Sequence, residues 1–501
     1  VNKFDVVIIG SGISSLTCAA LLSKKGKSVC VLEQYNKPGG YLHCFNRFGD
    51  RFDTGAHYVG AMDKGQPFHT LLNYLGVYDD SLFVPLDPDG FDVLKFPKLT
   101  VELPKGYAET ISRLSSVFPS EKDGISRFFR KIQEVAKLFP TYEFNESRDV
   151  LSILDLLEMP LSKVVKECAS NPQLQTILYS YCALHGVDAE EVSFGMHSIV
   201  TDSLIRGPYG FAKGGEALAK NYVDLIEKHG GVVLLKKRVA TIEAQNKVAT
   251  AVTTTDGDRY EGSWIISGIH PKQTFALVTE QKVFSPAFRE RLKNTKESGG
   301  IFGIYAACHS QPTLNPLKNY YYFASDKPND MLKAKTPDTK PNTVFLSPAN
   351  RLAQGTKNAF TMNIHASGPM EWFESWRETK FAKRPDPYQN VKKEYAENIF
   401  SFIDQFEIGL SSTIEKYVTS TPVTNMHFNG SVDGSSYGIY HSIENTGARA
   451  LGPRTHVSNL LLTGQSCLFP GLLGSAISAL RTAGHIVGIK PMLKELRESA
   501  L

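Results

Sequence analysis

An α/β fold is predicted for this chain, with a second α+β region built from insertions, and three observations carry that prediction. The N-terminus reads strand–glycine turn–helix–strand, a second strand–glycine–helix unit stands near the C-terminus, and two long stretches of mixed pattern separate the pieces. In the first unit, Phe4–Ile9 is a short, β-branched apolar run of the kind that forms a buried parallel strand. It leads into Gly10-Ser11-Gly12-Ile13-Ser14-Ser15. An amphipathic helix fits Ser14–Lys25, with Leu16, Ala19, Ala20 and Leu22 placed to pack on a sheet. Gly26 ends that helix, and Ser28–Leu32 forms a second strand that closes at Glu33.

Each piece has a physical role if a dinucleotide binds here. Gly10 permits a tight turn, Gly12 lets the backbone approach a pyrophosphate, and the helix N-terminus offers free N–H groups and a positive dipole end to that anion. Glu33, about 20 residues beyond the turn, can accept hydrogen bonds from an adenosine ribose. That fits FAD or NAD and disfavours NADP. Ser15 replaces the usual third glycine, and its small side chain still permits close helix–strand packing. Pro38-Gly39-Gly40 and Phe52-Asp53-Thr54-Gly55-Ala56-His57-Tyr58 then favour FAD. A long flavin needs further close backbone approaches, whereas an NAD dehydrogenase has no general need of them. Near the C-terminus, Asn459–Thr463 reads as a strand, Gly464-Gln465 turns, and Pro470-Gly471-Leu472-Leu473-Gly474-Ser475 opens a helix to about Val487. The N-terminus of that helix is placed to stabilise negative charge on a reduced flavin ring.

Composition narrows the classes of partner. With 501 residues and 42% hydrophobic content, the chain can bury a large core in two or three folding units. A net charge of +4 with no run of five basic residues argues against nucleic acid. Seven cysteines without CxxC spacing read as reduced thiols in an intracellular chain, with no metal site. No uncharged apolar run reaches the ~18 residues of a membrane span, and the start lacks a signal-peptide pattern. The expectation is a cytoplasmic protein, with peripheral attachment to one membrane face allowed.

Taken together, these motifs resemble the phytoene desaturase-like branch of FAD-dependent oxidoreductases, which includes carotenoid desaturases, carotenoid isomerases and retinol saturases. Likeness to the retinol saturase group rests on Val31-Leu32-Glu33-Gln34, on Gly39-Gly40 with His43 and Phe45, and on Phe52–Gly55 followed by His57-Tyr58-Val59-Gly60. It continues through Ser193–Ser198, Gly214–Ala219, Glu371–Trp376, Pro422–Asn425, Tyr437-Gly438 and Leu462–Gln465. Two features depart from the pattern. Tyr41 and Leu42 stand where many relatives carry a positive residue, and the expectation is a chain without the N-terminal targeting extension of vertebrate members.

The resemblance implies a glutathione-reductase/amine-oxidase type of FAD-binding, Rossmann-like domain assembled from 1–75, 208–275 and 430–490. The insertions 76–207 and 276–429 then form the substrate domain, with 125–207 mainly helical and facing the membrane. Helices are expected over 124–138, 150–177 and 388–406, and an exposed loop over 327–341. The cofactor residues implied are Gly10–Ser15, Glu33, Gln34, Gly39, Gly40, Thr54, Gly55, Ala56, Gly464, Gln465, Gly471, Leu472 and Leu473, with Val239 reaching the adenine through its backbone.

The chemistry expected is hydride transfer from reduced flavin to a C=C bond of a retinoid or carotenoid, with a proton from His57, Tyr58, Tyr437, Tyr440 or His441. Without a second GxGxxG turn, electrons come from NAD(P)H by direct docking, from a redox partner, or from the substrate. Alternatives on the same scaffold are desaturation, redox-neutral cis–trans isomerisation, and reduction of unsaturated fatty acids. A flavin-less prenyl-protein escort conflicts with the intact Glu33 and glycine turns. An amine oxidase would need an aromatic cage that the sequence does not display.

Overall fold

The computed structural model describes residues 2–145, 150–327, 330–349, 351–352 and 357–500. Strand β1 (Asn2–Ile9), helix α1 (Ile13–Lys24) and strand β2 (Val29–Leu32) form the opening unit. β1 pairs in parallel with β2, Val6 opposite Val29, and with Arg259–Ser267, Val6 opposite Trp264. Val232–Leu234 extends the sheet beyond β2, and Leu460–Leu462 pairs with the last residues of Arg259–Ser267. Five parallel strands are thus gathered from separated stretches of chain. Their apolar runs, VVII and VCVL among them, suit burial on both faces. The antiparallel strands Val239–Gln245 and Val248–Thr254 join through the first half of Arg259–Ser267.

α1 packs against the C-terminal helix Gly471–Val487 and against Gly215–Lys228. Small residues make the close approach feasible: Cys18, Ala19 and Ala20 on α1, and Ala476, Ala479 and Ala483 on its neighbour are all buried. The helix expected from Ser14 begins one residue earlier, and the strands expected at Phe4–Ile9, Ser28–Leu32 and Asn459–Thr463 and the helix ending at Val487 fall within two residues of expectation.

A second, seven-stranded sheet runs Ile414–Ser420, Ile301–Cys308, Phe360–Ser367, Thr343–Pro348, Asn319–Phe323, Asp92–Phe96, Leu99–Leu103. All its pairings are antiparallel except Asn319–Phe323 with Asp92–Phe96. Two of its strands come from 76–207, ahead of the stretch 125–207, which is mainly helical as expected among the described residues. Period-two alternation sorts the side chains. Tyr320 and Tyr322 pack outward under the helix Asp386–Ile403, while Tyr321 and Phe323 turn into the main core.

The single helix expected over 150–177 is three helices: Val150–Glu158, Leu161–Cys168 and Pro172–Leu178. Pro160 and Pro172 lack the N–H a continuous helix needs, and each stands instead at a helix start. Asn171 caps the third helix, its Oδ1 accepting from the backbone N–H groups of Gln173 and Leu174. Among the described residues, the exposed large apolar ones are Leu235, Val248, Leu352, Phe381 and Ile408. None lies in the described part of 125–207, whose apolar faces turn inward, so the expected membrane-facing patch is not found there. Within the expected loop 327–341, of which 328–329 lie outside the described residues, Met331 is buried against the core rather than exposed. Among the described residues, no helix is long and apolar enough to cross a membrane.

Candidate active site

One cavity of about 870 Å³ runs from the opening turn to the inner face of the second sheet. All of the cofactor residues expected from the sequence line it, Gln34, Val239 and Gln465 included. At its outer end, Gly10 adopts φ +87° and donates its N–H to Leu32 O at 2.8 Å; an added Cβ would also sit 3.1 Å from Ile269 Cγ2. Gly12 has an ordinary φ of −60°, and a Cβ there would meet nothing within 4 Å. The first glycine is therefore required by conformation and the second by space, since its missing side chain leaves room in the groove.

Gly39 and Gly40 lie directly on this turn, with Gly39 N–H donating to Ser11 O at 3.0 Å. α1 begins with no side-chain cap and no acidic residue in its first turn, and the same holds for Gly471–Val487. Both therefore present unsatisfied N–H groups and positive dipole ends. A hydrogen bond between Ser14 Oγ and Thr463 Oγ1 ties the start of α1 to the strand end that precedes the C-terminal helix.

Glu33 is more engaged than its sequence role implies. Its Oε2 accepts from Ser11 N (2.9 Å) and Ser11 Oγ (2.5 Å), and Oε1 accepts from Tyr35 N at 2.7 Å. An ionised carboxylate offers about four acceptor sites, so three are used to fix its position and one is left for a ribose. Uncapped helix starts, open space at Gly12 and a fixed carboxylate fit an elongated dinucleotide.

The inner end is a chamber of histidines and phenols. Asn363 Nδ2 donates to His57 Nδ1 at 3.1 Å, and the His57 ring meets the His365 ring edge-on at 4.5 Å. Burial, with the positive fields of His365 and Arg351, holds His57 well below the usual imidazole range. It is therefore neutral near pH 7 and is not an imidazolium acid.

Tyr58 is half-buried and lines the cavity. Its hydroxyl pairs with Tyr321 Oη at 2.7 Å and donates to Asp92 Oδ2 at 3.2 Å. Asp92 is 0% exposed and also accepts from Tyr181 Oη (3.0 Å) and Asn319 Nδ2 (2.9 Å). Arg351 Nη2 donates in turn to Asn319 Oδ1 at 2.5 Å and Ser347 Oγ at 2.8 Å.

Tyr437 lines the chamber as expected. Tyr440 does not: its hydroxyl donates to Glu191 Oε2 at 2.5 Å and accepts from Asp188 N, and Lys296 sits over its ring. His441 is likewise buried away from the cavity wall. Both are corrected from catalytic candidates to packed residues. Sequence reasoning missed Asp92, Tyr181, Asn319, Tyr321 and Arg351; the one local signal is an acid opening the apolar strand DVLKF. Nearby, Cys182, His185 and His197 place ligand-type atoms within 4.8 Å of one another. His185 Nε2 and His197 Nδ1 share a hydrogen bond of 3.3 Å, while His185 Nδ1 has no partner. A ligating imidazole normally anchors its other nitrogen, so the trio is described as a packed histidine pair beside a thiol.

This architecture is a Rossmann-type dinucleotide-binding fold with a second, seven-stranded sheet inserted between its segments. Residues 8–75 match the NAD(P)-binding Rossmann-like domain model. All-trans-retinol 13,14-reductase of Rattus norvegicus is 28% identical over 529 residues, covering 97% of this chain and 86% of that protein. The chloroplastic prolycopene isomerase of Daucus carota is 24% identical over 515 residues, covering 97% and 80%. Cyclohexylamine oxidase from Brevibacterium oxydans shares the fold at TM-score 0.62 and 15% identity, covering 98% of this chain and 99% of that one. The chain is a homologue of the retinol 13,14-reductases and prolycopene isomerases, which bears out the resemblance carried by its motifs.

Proposed function

We propose that this protein is an FAD-dependent oxidoreductase that saturates a C=C bond in a lipophilic polyene, a retinoid or carotenoid. The observation that carries the reading is the single groove that joins the phosphate-type turn at Gly10–Ser15 to the enclosed chamber at His57 and Tyr58. Gly10–Ser15, Glu33, Gln34 and Val239 would hold the adenosine and pyrophosphate. Gly39, Gly40, Thr54–Ala56, Gly464, Gln465 and Gly471–Leu473 would hold the other half. When bound, reduced FAD supplies a hydride to an apolar double bond.

The chain's own residues position the substrate and handle the proton. Ala183, Leu184, Ile199, Val200, Leu204 and Phe345 form an apolar wall that suits a polyene and keeps water from the reacting carbons. His57, neutral and fixed by Asn363, orients the chamber, whereas Tyr58 brings to the cavity wall a hydroxyl hydrogen-bonded to the buried Asp92 carboxyl. The residues 1–75, 208–275 and 430–490 would constitute the cofactor domain, and 76–207 with 276–429 the substrate domain. Electrons would come from NAD(P)H or a redox partner.

Anaerobic incubation of the photoreduced holoprotein with a panel of retinoids, carotenoids and unsaturated fatty acids tests this reading. Reoxidation of the flavin with formation of a dihydro product is expected for a polyene. A protein that takes up no FAD, or a flavin that no polyene reoxidises, would refute it. The 97% coverage by a prolycopene isomerase supports a second reading, redox-neutral cis–trans isomerisation on the same groove. It predicts rearranged polyene with the flavin still reduced.

A further inference from the structure

We propose that Asp92 and Tyr58 are the proton-delivery pair of this site, Asp92 holding in reserve the proton that Tyr58 passes to the substrate carbon. The inference rests on the C=C-reducing function above and assigns the half of the reaction that the hydride does not supply. Saturation adds a hydride to one carbon and a proton to its neighbour. The Tyr58 O–H bond breaks as the new C–H bond forms, and the Asp92 O–H bond breaks as the Tyr58 hydroxyl is restored. The charge left by the hydride is thereby transferred to Asp92 as a carboxylate, which regains its proton from water before the next turnover. In the desaturation direction the same carboxylate receives the proton.

Three features of the geometry support this assignment. Tyr58 is on the cavity wall, and its hydroxyl is within hydrogen-bond distance of Asp92 Oδ2, so cavity and reserve are one hydroxyl apart. Next, the carboxylate produced by the step is already provided for. Tyr181 and Asn319 donate to it alongside Tyr58, and the Arg351 guanidinium stands behind Asn319. Finally, the hydrogen bonds can reverse. With Asp92 ionised, Tyr58 donates to it; with Asp92 protonated, the acid donates to the Tyr58 oxygen and frees the Tyr58 proton for Tyr321 or for the cavity.

The electrostatics agree with that order. Complete burial pushes Asp92 up to about 7, against the lowering effects of Asn319, Tyr181, Tyr58 and Arg351. Tyr58, Tyr181 and Tyr321 are themselves driven well above the usual phenol range by burial and by the Asp92 charge. A tyrosine so reluctant to ionise needs a stronger acid behind it. His57 cannot be that acid, because it is neutral and its Nδ1 is occupied by Asn363.

Infrared titration of the holoprotein from about pH 5 to about pH 9 provides a readout separate from turnover. A carboxylic-acid C=O band that disappears with a midpoint near 7 is expected in the wild type, and is expected to be missing in Asp92→Asn. In single-turnover reoxidation by the polyene identified above, the wild-type rate is expected to fall tenfold per pH unit above that midpoint. Asp92→Asn is expected to be slowed about 100-fold and to lose that pH dependence. Tyr58→Phe, which keeps the ring and the acid, is expected to retain the infrared band and to be slowed by a similar factor. If no polyene reoxidises the flavin, the parent function falls and this pair with it. Reoxidation at a pH-independent wild-type rate, or an unaltered pH profile in Asp92→Asn, overturns the proton pair alone.

Discussion

Replacing Asp92 with Asn should stabilise the protein in alkali far more than in mild acid. Burial raises the Asp92 carboxyl from 3.8 to about 7. The native state therefore binds this proton more tightly than the unfolded chain does. The stability linked to it is fully present below the unfolded value and is lost as pH rises through the folded one. A shift of about three units, at about 1.36 kcal/mol each, corresponds to about 4 kcal/mol over the whole range. Between about pH 5 and about pH 8.5, the wild type should lose about 2.5 kcal/mol that the variant keeps, because an amide has no proton to lose. Asn can still donate to the Tyr58 oxygen and accept from Asn319, so any constant cost of the substitution cancels when the two pH values are compared. Denaturant unfolding of both proteins, followed by tryptophan fluorescence at the two pH values, measures the difference. A gap between variant and wild type that is the same at both, within about 0.5 kcal/mol, would mean that Asp92 ionises in the fold as it does in water. The proton reserve would then not exist.

Three further outcomes separate space, charge and packing at the site. Gly12→Val, at an ordinary φ with open space around the new side chain, should change stability by no more than about 0.5 kcal/mol and abolish the flavin absorbance of the purified protein. His57→Phe should leave the shape of the pH–rate profile intact and change the rate by less than about tenfold, since its imidazole is already neutral. Tyr440→Phe breaks bonds to Glu191 and Asp188 outside the cavity, so denaturant unfolding should register a loss of about 1 kcal/mol while turnover stays at the wild-type level.

The parts of the site legible in the sequence are those whose geometry is local. Gly10–Ser15 and Glu33 form one contiguous turn, helix and strand, and turn chemistry over a few residues dictates where each backbone N–H points. The segment Gly464–Leu473 was legible for the same reason. Pro160 and Pro172 carry an equally local signal, since neither can continue a helix and each stands at the start of one. Tyr437 and Tyr440 defeat local reasoning. They are three residues apart, yet one lines the chamber and the other is turned away by Glu191 and Asp188, which come from a distant segment.

The Asp92 network shows why long-range chemistry stays hidden and where its trace survives. Tyr58, Tyr181, Asn319, Tyr321 and Arg351 come from four separate stretches, and each is unremarkable beside its own neighbours. Asp92 differs, because it opens the strand DVLKF, in which Val93 and Leu94 are buried in two different core clusters. A strand apolar on both faces must be covered on both faces, so its acid is buried with it. Burying an unpaired carboxylate costs several kcal/mol, so that residue alone implied donors elsewhere in the chain or a proton held at neutral pH. The structure supplies the donors, three of them, and burial still raises the carboxyl to about 7. A group balanced there can release a proton or take one up near neutrality, which is what the acid role proposed for it requires.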